Sequence, residues 1–158
     1  MRLLLYDIAR PLAAAWVCSF GFALLYRMKG KNVLASAFGG MLTWAVYLLC
    51  ARGTESLFVC NMLASVFAAV YAEAFARVLK CPSTVYLVPT IIPLVPGGSL
   101  YYTLLYLLSD EQELSERMGL DTLSTAGGIA VGIVVVSVAV RVIFGSGMGR
   151  PAKSVKKM

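Results

Sequence analysis

The stretch TVYLVPTIIPLVPGGSLYYTLLYLL, residues 84–108, decides the fold of this chain. It has no charged residue, and as a helix rising about 1.5 Å per residue it could cross the roughly 30 Å core of a bilayer. A regular helix does not fit it, because a proline lacks an N–H and clashes with the carbonyl four residues back. A glycine pair, Gly97–Gly98, follows the last proline. We therefore predict a spanning helix that is broken near mid-membrane by three prolines: Pro89, Pro93 and Pro96.

The composition of the whole chain agrees with a membrane protein. Of its 158 residues, 59% are hydrophobic and 14% are charged, and the mean hydropathy is +0.81. In soluble domains about a quarter of the residues are charged. We predict an all-α integral membrane protein with five transmembrane helices, in a single transmembrane domain over residues 1–144, and a basic cytoplasmic tail over 145–158. The other four predicted spans cover residues 3–26, 33–51, 56–79 and 123–144.

The distribution of basic residues predicts the orientation. Cytoplasmic loops are enriched in Lys and Arg, and the five predicted spans divide the 14 basic residues ten to four between the two sides. The N-terminus is therefore predicted outside and the C-terminus in the cytoplasm. A fourth segment that entered and left by one face would put the tail outside, against this rule, so we favour a complete crossing. The net charge of +6 then reflects topology and membrane lipid rather than a nucleic-acid partner.

The sequence offers little for catalysis. It has no histidine, which excludes a Ser-His dyad and a His-ligated zinc site. Its four cysteines stand singly, without a C-x-x-C pair, so we predict small core residues. Only Cys50 and Cys60 flank one short loop and could pair. We expect no enzyme activity, no metal and no cofactor.

The break in the fourth segment is the candidate binding site. Ser99 could cap a second half-helix, whose free N–H groups and positive dipole end would attract an anion inside the membrane. The alternative is a proline kink that only packs against neighbouring helices. The candidate substrate-binding residues are Pro93, Pro96, Gly97, Gly98, Ser99, Tyr101 and Tyr102.

Two further features could take part in substrate binding or coupling. Glu73 and Arg77 lie four residues apart on one face of the third segment and can pair, either as a coupling carboxylate and gate or as a structural ion pair. Polar side chains near the break could also bind substrate, although tyrosines at span ends usually form an interfacial belt. These side chains are Asn61, Tyr86, Tyr101, Tyr102 and Tyr106. The glycines of Gly39-Gly40 and Gly128-x3-Gly132 are more typical of helix packing. The acidic residues within 110–121 are more typical of a solvated linker.

Several of these motifs resemble those of one transporter family. They are Glu73-x3-Arg77, Lys80-x-Pro82, Pro89, the run IIPLVPGG at residues 91–98, and Tyr101-Tyr102-Thr103. On these residues the chain is similar to the short membrane component of the threonine/serine exporter family. The similarity covers about residues 21–141.

The resemblance implies a half-transporter in the cytoplasmic (inner) membrane of a bacterium. Its partner would be a longer component with five spans and a cytoplasmic N-terminal domain. Substrates would be threonine and serine, or dicarboxylates such as succinate. The substrate carboxylate is expected at the N–H groups of Gly98, Ser99 and Leu100, beside Tyr101 or Tyr102, with Glu73 carrying a coupling proton. A homo-oligomer and a membrane scaffold without a substrate remain alternatives.

Overall fold

The computed structural model describes residues 2–144, and over this range the chain is helical, without strands. The predicted tail, 145–158, lies outside the described residues. Six α-helices and one 3₁₀ turn follow one another along the chain. They are α1 (Arg2–Leu25), α2 (Lys31–Cys50), α3 (Leu57–Leu79), α4 (Ser83–Ile91), the 3₁₀ turn Ile92–Leu94, α5 (Gly97–Leu108) and α6 (Gln112–Phe144).

The fourth predicted segment is broken as expected. α4 continues through Pro89, the 3₁₀ turn contains Pro93, and α5 begins directly after Pro96. The axes before and after the break differ by 50°. Because the prolines remove successive helical N–H donors, the chain changes direction here. α1, α2, α3 and α6 are each long and apolar enough to cross a membrane, and the bent pair adds a fifth candidate.

The last helix begins earlier than predicted. α6 starts at Gln112 instead of residue 123, so most of the expected acidic linker is helical. The turn from α5 is short because Asp110 adopts a left-handed conformation (φ 58°) and the Glu111 N–H donates to the Tyr106 carbonyl at 3.0 Å. Ser115 Oγ then donates to the Thr103 carbonyl at 2.9 Å and joins the two helices.

Helix α3 lies at the centre of the bundle and packs against α2, α4 and α6. Its buried positions are mostly alanine, which lets the neighbouring backbones approach closely. At the α6 contact a Cβ on Gly128 would meet the Phe58 carbonyl, and one on Gly132 would meet Ser65 Oγ. These glycines therefore form the packing face that the sequence predicts.

The contacts between α3 and α6 also give their relative direction. Gly128 lies beside Phe58, and Gly132 lies beside Ser65 and Met62. Residue numbers increase together on both helices, so the two helices run parallel. Residues 80–126 therefore carry the chain from the C-terminal end of α3 back to its N-terminal end.

A second glycine pair brings four helices together. A Cβ on Gly39 would lie 2.6 Å from Tyr71 Cε1 of α3 and 2.9 Å from Thr90 Oγ1 of α4. A Cβ on Gly40 would overlap Ser19 Oγ of α1. We call this contact the Gly39–Gly40 crossing. It confirms the predicted packing role of this pair.

Candidate functional site

The N-terminus of α5 differs in detail from the prediction. Pro96 is the N-cap residue and its carbonyl accepts from the Leu100 N–H at 3.1 Å. The predicted cap at Ser99 is wrong, because the helix begins two residues earlier and Ser99 Oγ donates back to the Pro96 carbonyl at 3.2 Å. The Leu100 N–H is therefore not available to a ligand. The N–H groups of Gly98 and Ser99 donate to no acceptor in the described chain.

The two glycines at this terminus are open to their surroundings. Both are exposed, and a Cβ on Gly97 or Gly98 would meet no atom within 4 Å. Neither has a positive φ, so the backbone does not use the conformational freedom that glycine offers. Within the described chain, nothing in the local geometry requires glycine at these positions.

The predicted tyrosines lie on the outside of the chain. Tyr101 is 61% exposed and Tyr102 is 47% exposed, and α5 has no buried residue. The rings of Tyr101 and Tyr102 are 5.4 Å apart, and Tyr102 stacks on Tyr106 at 6.0 Å. Among the helices that the structure describes, α5 packs substantially only against α6, so this side of the predicted site is open.

Pro93, another of the candidate residues, lines a cavity that none of the candidate residues of α5 lines. The cavity has a volume of about 290 Å³ and opens between α1, α2 and the 3₁₀ turn. Its lining is apolar, and the sequence analysis did not identify it, because helix contacts that build a cavity leave no local pattern. The lining residues are Pro11, Ala14, Ala15, Cys18, Trp44, Ile92 and Pro93.

Glu73 and Arg77 form the predicted ion pair. Arg77 Nη2 lies 3.8 Å from Glu73 Oε2, and the side chains are 42% and 29% exposed, respectively. They follow the predicted i, i+4 spacing on α3. Helix α3 packs against α4 and makes no substantial contact with α5. Glu73 and the N-terminus of α5 therefore lie in different helix–helix interfaces.

Two other polar candidate residues are buried and make contacts typical of a structural role. Asn61 Nδ2 donates to the Leu57 carbonyl at 2.8 Å and faces Thr125 Oγ1 of α6 at 3.5 Å. Tyr86 is fully buried in the apolar core between α1, α2, α3 and α4. Neither lies on an open surface.

The four cysteine thiols are free, so Cys50 and Cys60 do not pair here. Cys60 is buried in α3, as predicted for a small core residue. Cys18 lines the cavity described above and is partly exposed.

A broken apolar helix with free N–H groups inside a multi-pass bundle is typical of secondary transporters. A comparison with protein families matches residues 11–139 to the threonine/serine exporter family, ThrE. The chain belongs to the threonine/serine exporter family. Searches of curated proteins and of solved structures each gave no match.

The ThrE match includes α2 to α5 entirely and most of α1 and α6. The broken helix, the cavity and the Glu73–Arg77 pair all lie within the matched residues. The chain is therefore a multi-pass membrane protein of a transporter family.

Proposed function

We propose that this ThrE-family chain is one subunit of a secondary exporter of small carboxylate-bearing metabolites. Threonine and serine are the first candidates, and dicarboxylates such as succinate the second. The observation that carries the proposal is the exposed N-terminus of α5, with free N–H groups at Gly98 and Ser99. We place this exporter in the cytoplasmic membrane of a bacterium.

The free N–H groups would hold the substrate carboxylate. A helix N-terminus carries about half a positive charge, and an anion there gains roughly 0.3 to 2 kcal/mol. Tyr101 and Tyr102, in the first turns of α5, are near enough along the chain to add hydroxyl donors. This interaction would select a carboxylate but would not separate an amino acid from a dicarboxylate.

A second subunit would complete the site. Unsatisfied N–H groups in hydrocarbon cost several kcal/mol each, so those of Gly98 and Ser99 need protein or a wet cavity beside them. Within residues 2–144, only α6 packs substantially on α5. We infer that a longer partner component, with its own membrane spans, covers the open side of α5. A second copy of this chain is the competing occupant.

The proposed topology has five spans, with the N-terminus outside and the C-terminus in the cytoplasm. The parallel packing of α3 and α6 supports a complete crossing by α4 and α5, because a re-entrant segment would make α6 antiparallel to α3. Cysteines introduced at Gln112 and Lys153 test this topology. Labelling from opposite sides of the membrane is expected, and labelling from the same side would contradict five spans.

Reconstitution tests the function. The chain should be purified alone and together with a co-expressed longer component of the same family, and each preparation placed in vesicles loaded with radiolabelled threonine, serine or succinate. We expect efflux from the pair and background efflux from the single chain. Full efflux from the chain alone would overturn the requirement for a partner. A pair that assembles but moves none of the three solutes would favour a scaffold.

A further inference from the structure

The residues of α6 that contact α5 lie far along the helix from those that contact α3. Ser115 Oγ bonds to the Thr103 carbonyl of α5, and a Cβ on Gly119 would lie 3.5 Å from Thr103 Cγ2. The contact with α3 comes later, where a Cβ on Gly127 would lie 3.5 Å from the ring of Phe58, near the start of α3. Counted from residues 115–119 to residue 127 at about 1.5 Å each, Thr103 lies about 12 to 18 Å beyond Phe58 along α6.

Helix α5 therefore stands beyond the end of α3 instead of beside it. This agrees with its packing, because among the described helices α5 packs substantially only on α6. A short turn at residues 109–111 joins α5 to the start of α6, and α6 then runs back toward the bundle. We call α5, this turn and residues 112–123 the α5–α6 hairpin. Its end nearest the bundle is the start of α5, with the free N–H groups of Gly98 and Ser99.

The charges around α2 indicate where the bilayer lies. Residues 32–51 carry no charge and form about 30 Å of helix, which equals the thickness of the hydrocarbon core. Lys31 marks one boundary, and Arg52 and Glu55 mark the other, at the N-terminal end of α3. The α5–α6 hairpin continues past this second boundary, which is the outer one in the topology proposed above. Since headgroups add only about 5 to 8 Å on each side, most of the hairpin stands outside the bilayer.

The projecting hairpin presents an apolar surface. Helix α5 has no charged residue and no buried residue. Tyr101, Leu104 and Leu108 follow one another at spacings of three and four on one face of α5, and all three are exposed. A continuous exposed apolar surface marks an interaction site. Lipid chains do not reach this level, so the cover of the surface is another protein.

The charge at the tip of the hairpin indicates which kind of protein covers it. Residues 110–121 carry five carboxylates and one arginine, a net charge of −4 (1 − 5). The four carboxylates nearest the turn are exposed, and within residues 2–144 none of them forms an ion pair. A second copy of this chain in the same membrane would bring the same charges to the same height, where they repel. The charge therefore favours a different chain with basic residues.

We propose that the α5–α6 hairpin docks a helical segment of a different membrane subunit on the outer side of the membrane. This segment presents apolar side chains to Tyr101, Leu104 and Leu108, and it presents Lys or Arg side chains to the acidic tip. Side chains at spacings of three and four are the pattern through which one helix packs on another. The charges orient the segment along α5. The proposal rests on the exporter function above, because it gives the longer component its place of attachment and the chemistry of that place.

Labelling of introduced cysteines tests this surface. Leu104→Cys lies on the proposed face, and Val134→Cys is the matched control. The two side chains are 54% and 58% exposed, but Val134 lies about 10 Å further along α6 than Gly127, inside the bilayer core. Each variant is expressed in cells alone and with the longer component. A membrane-impermeant maleimide is added from outside, and the signal of the parent chain is subtracted.

We expect Leu104→Cys to be labelled when the chain is expressed alone, and the longer component to reduce this labelling at least fivefold. Val134→Cys should stay unlabelled in both cases. No labelling of Leu104→Cys in the chain alone would overturn the projecting hairpin. Unchanged labelling in the presence of the longer component would overturn the docking surface. A disulfide between two copies of the Leu104→Cys chain would overturn the choice of a different subunit.

A charge reversal tests the basic residues expected on the partner. Glu116→Lys changes an exposed carboxylate on the hairpin, and Glu55→Lys is its control, because Glu55 is exposed at the outer boundary but outside the hairpin. We expect Glu116→Lys to weaken the purified pair about threefold or more at low salt, and less at high salt, with the Tm of the single chain unchanged. Glu55→Lys should leave the affinity unchanged. Equal affinities of the two variants would contradict the charge assignment.

Efflux measurements separate this surface from the exporter function itself. If the longer component protects Leu104→Cys but the pair moves no solute, the exporter function fails and the docking surface stands. If the pair exports threonine while the labelling of Leu104→Cys is unchanged, the exporter function stands and the docking surface fails.

Discussion

The chain contains three pairs of adjacent glycines, at 39–40, 97–98 and 127–128, and the first two lie in opposite surroundings. At the Gly39–Gly40 crossing a Cβ on Gly40 would overlap Ser19 Oγ, and one on Gly39 would lie 2.6 Å from Tyr71 Cε1. At Gly97–Gly98 a Cβ would meet nothing within 4 Å. The first pair lets helices pack within this chain. Around the second pair the described residues leave open space, which agrees with our proposal that a substrate or another subunit approaches there.

Gly40→Ala should have one of the two largest effects on stability. The new methyl group would overlap Ser19 and force α1 away from α2, and overpacking of this kind costs about 1 to 3 kcal/mol. We expect a lower Tm and less folded protein in detergent, measured by a thermal unfolding assay. Gly21→Ala is the control, because a Cβ there meets nothing within 4 Å. Equal stability of the two variants would contradict the close contact at Gly40.

Gly132→Ala should also lower the stability, here at the contact between the parallel helices α3 and α6. Its methyl group would overlap Ser65 Oγ, which can rotate, and would lie 2.6 Å from the Met62 carbonyl oxygen, which cannot, so we expect a comparable loss of about 1 to 3 kcal/mol. Combining it with Ser65→Ala should restore part of the Tm. A double variant no more stable than Gly132→Ala would show that the backbone of Met62, and not Ser65, limits the approach.

Gly98→Ala should separate stability from transport. Alanine is favoured over glycine in a helix by roughly 0.5 to 1 kcal/mol, and space is available, so the Tm should stay level or rise. Efflux from the pair should nevertheless fall, because the added methyl group stands where we propose that substrate or partner approaches. Unchanged efflux in the variant would indicate that the break serves only helix packing, and it would support the scaffold alternative.

Glu73→Gln should change stability least. The ion pair with Arg77 spans 3.8 Å between partly exposed side chains, and such pairs contribute about 0 to 1 kcal/mol. If Glu73 carries the coupling proton, the variant should still exchange threonine across the vesicle membrane but lose its response to an imposed pH gradient. Retained pH-driven efflux would leave Glu73 with only its structural role beside Arg77.

Much of the fold follows from local properties of the sequence. Apolar length indicates which segments can cross the membrane, and three prolines in eight residues predict the break, because each removes a backbone donor wherever it stands. The pairing of Glu73 with Arg77 also follows from their spacing on one helix. These features need no knowledge of what the helices contact.

Other features depend on contacts between distant residues, and the sequence analysis missed them or placed them wrongly. Ser99 is a preferred capping residue, yet the tight turn after Leu94 starts the helix at Gly97 and leaves Ser99 inside it. The acidic residues after α5 look like a linker, but most of them are helical, and the hydrogen bond from Ser115 Oγ to the Thr103 carbonyl joins their helix to α5. Neither the turn before Gly97 nor this contact follows from local propensity.

The sequence by itself determined that the chain is a membrane protein with a broken apolar helix, since hydrophobic length and proline chemistry act within one segment. Only the tertiary structure decided which glycine pair packs and which stays open, because both pairs have the same sequence and differ in what surrounds them. It also decided that Ser19, Gly40 and the Pro89 carbonyl meet at one crossing, where the Ser19 hydroxyl is buried without a partner. Those residues lie on three different helices, and only their packing brings them to one place.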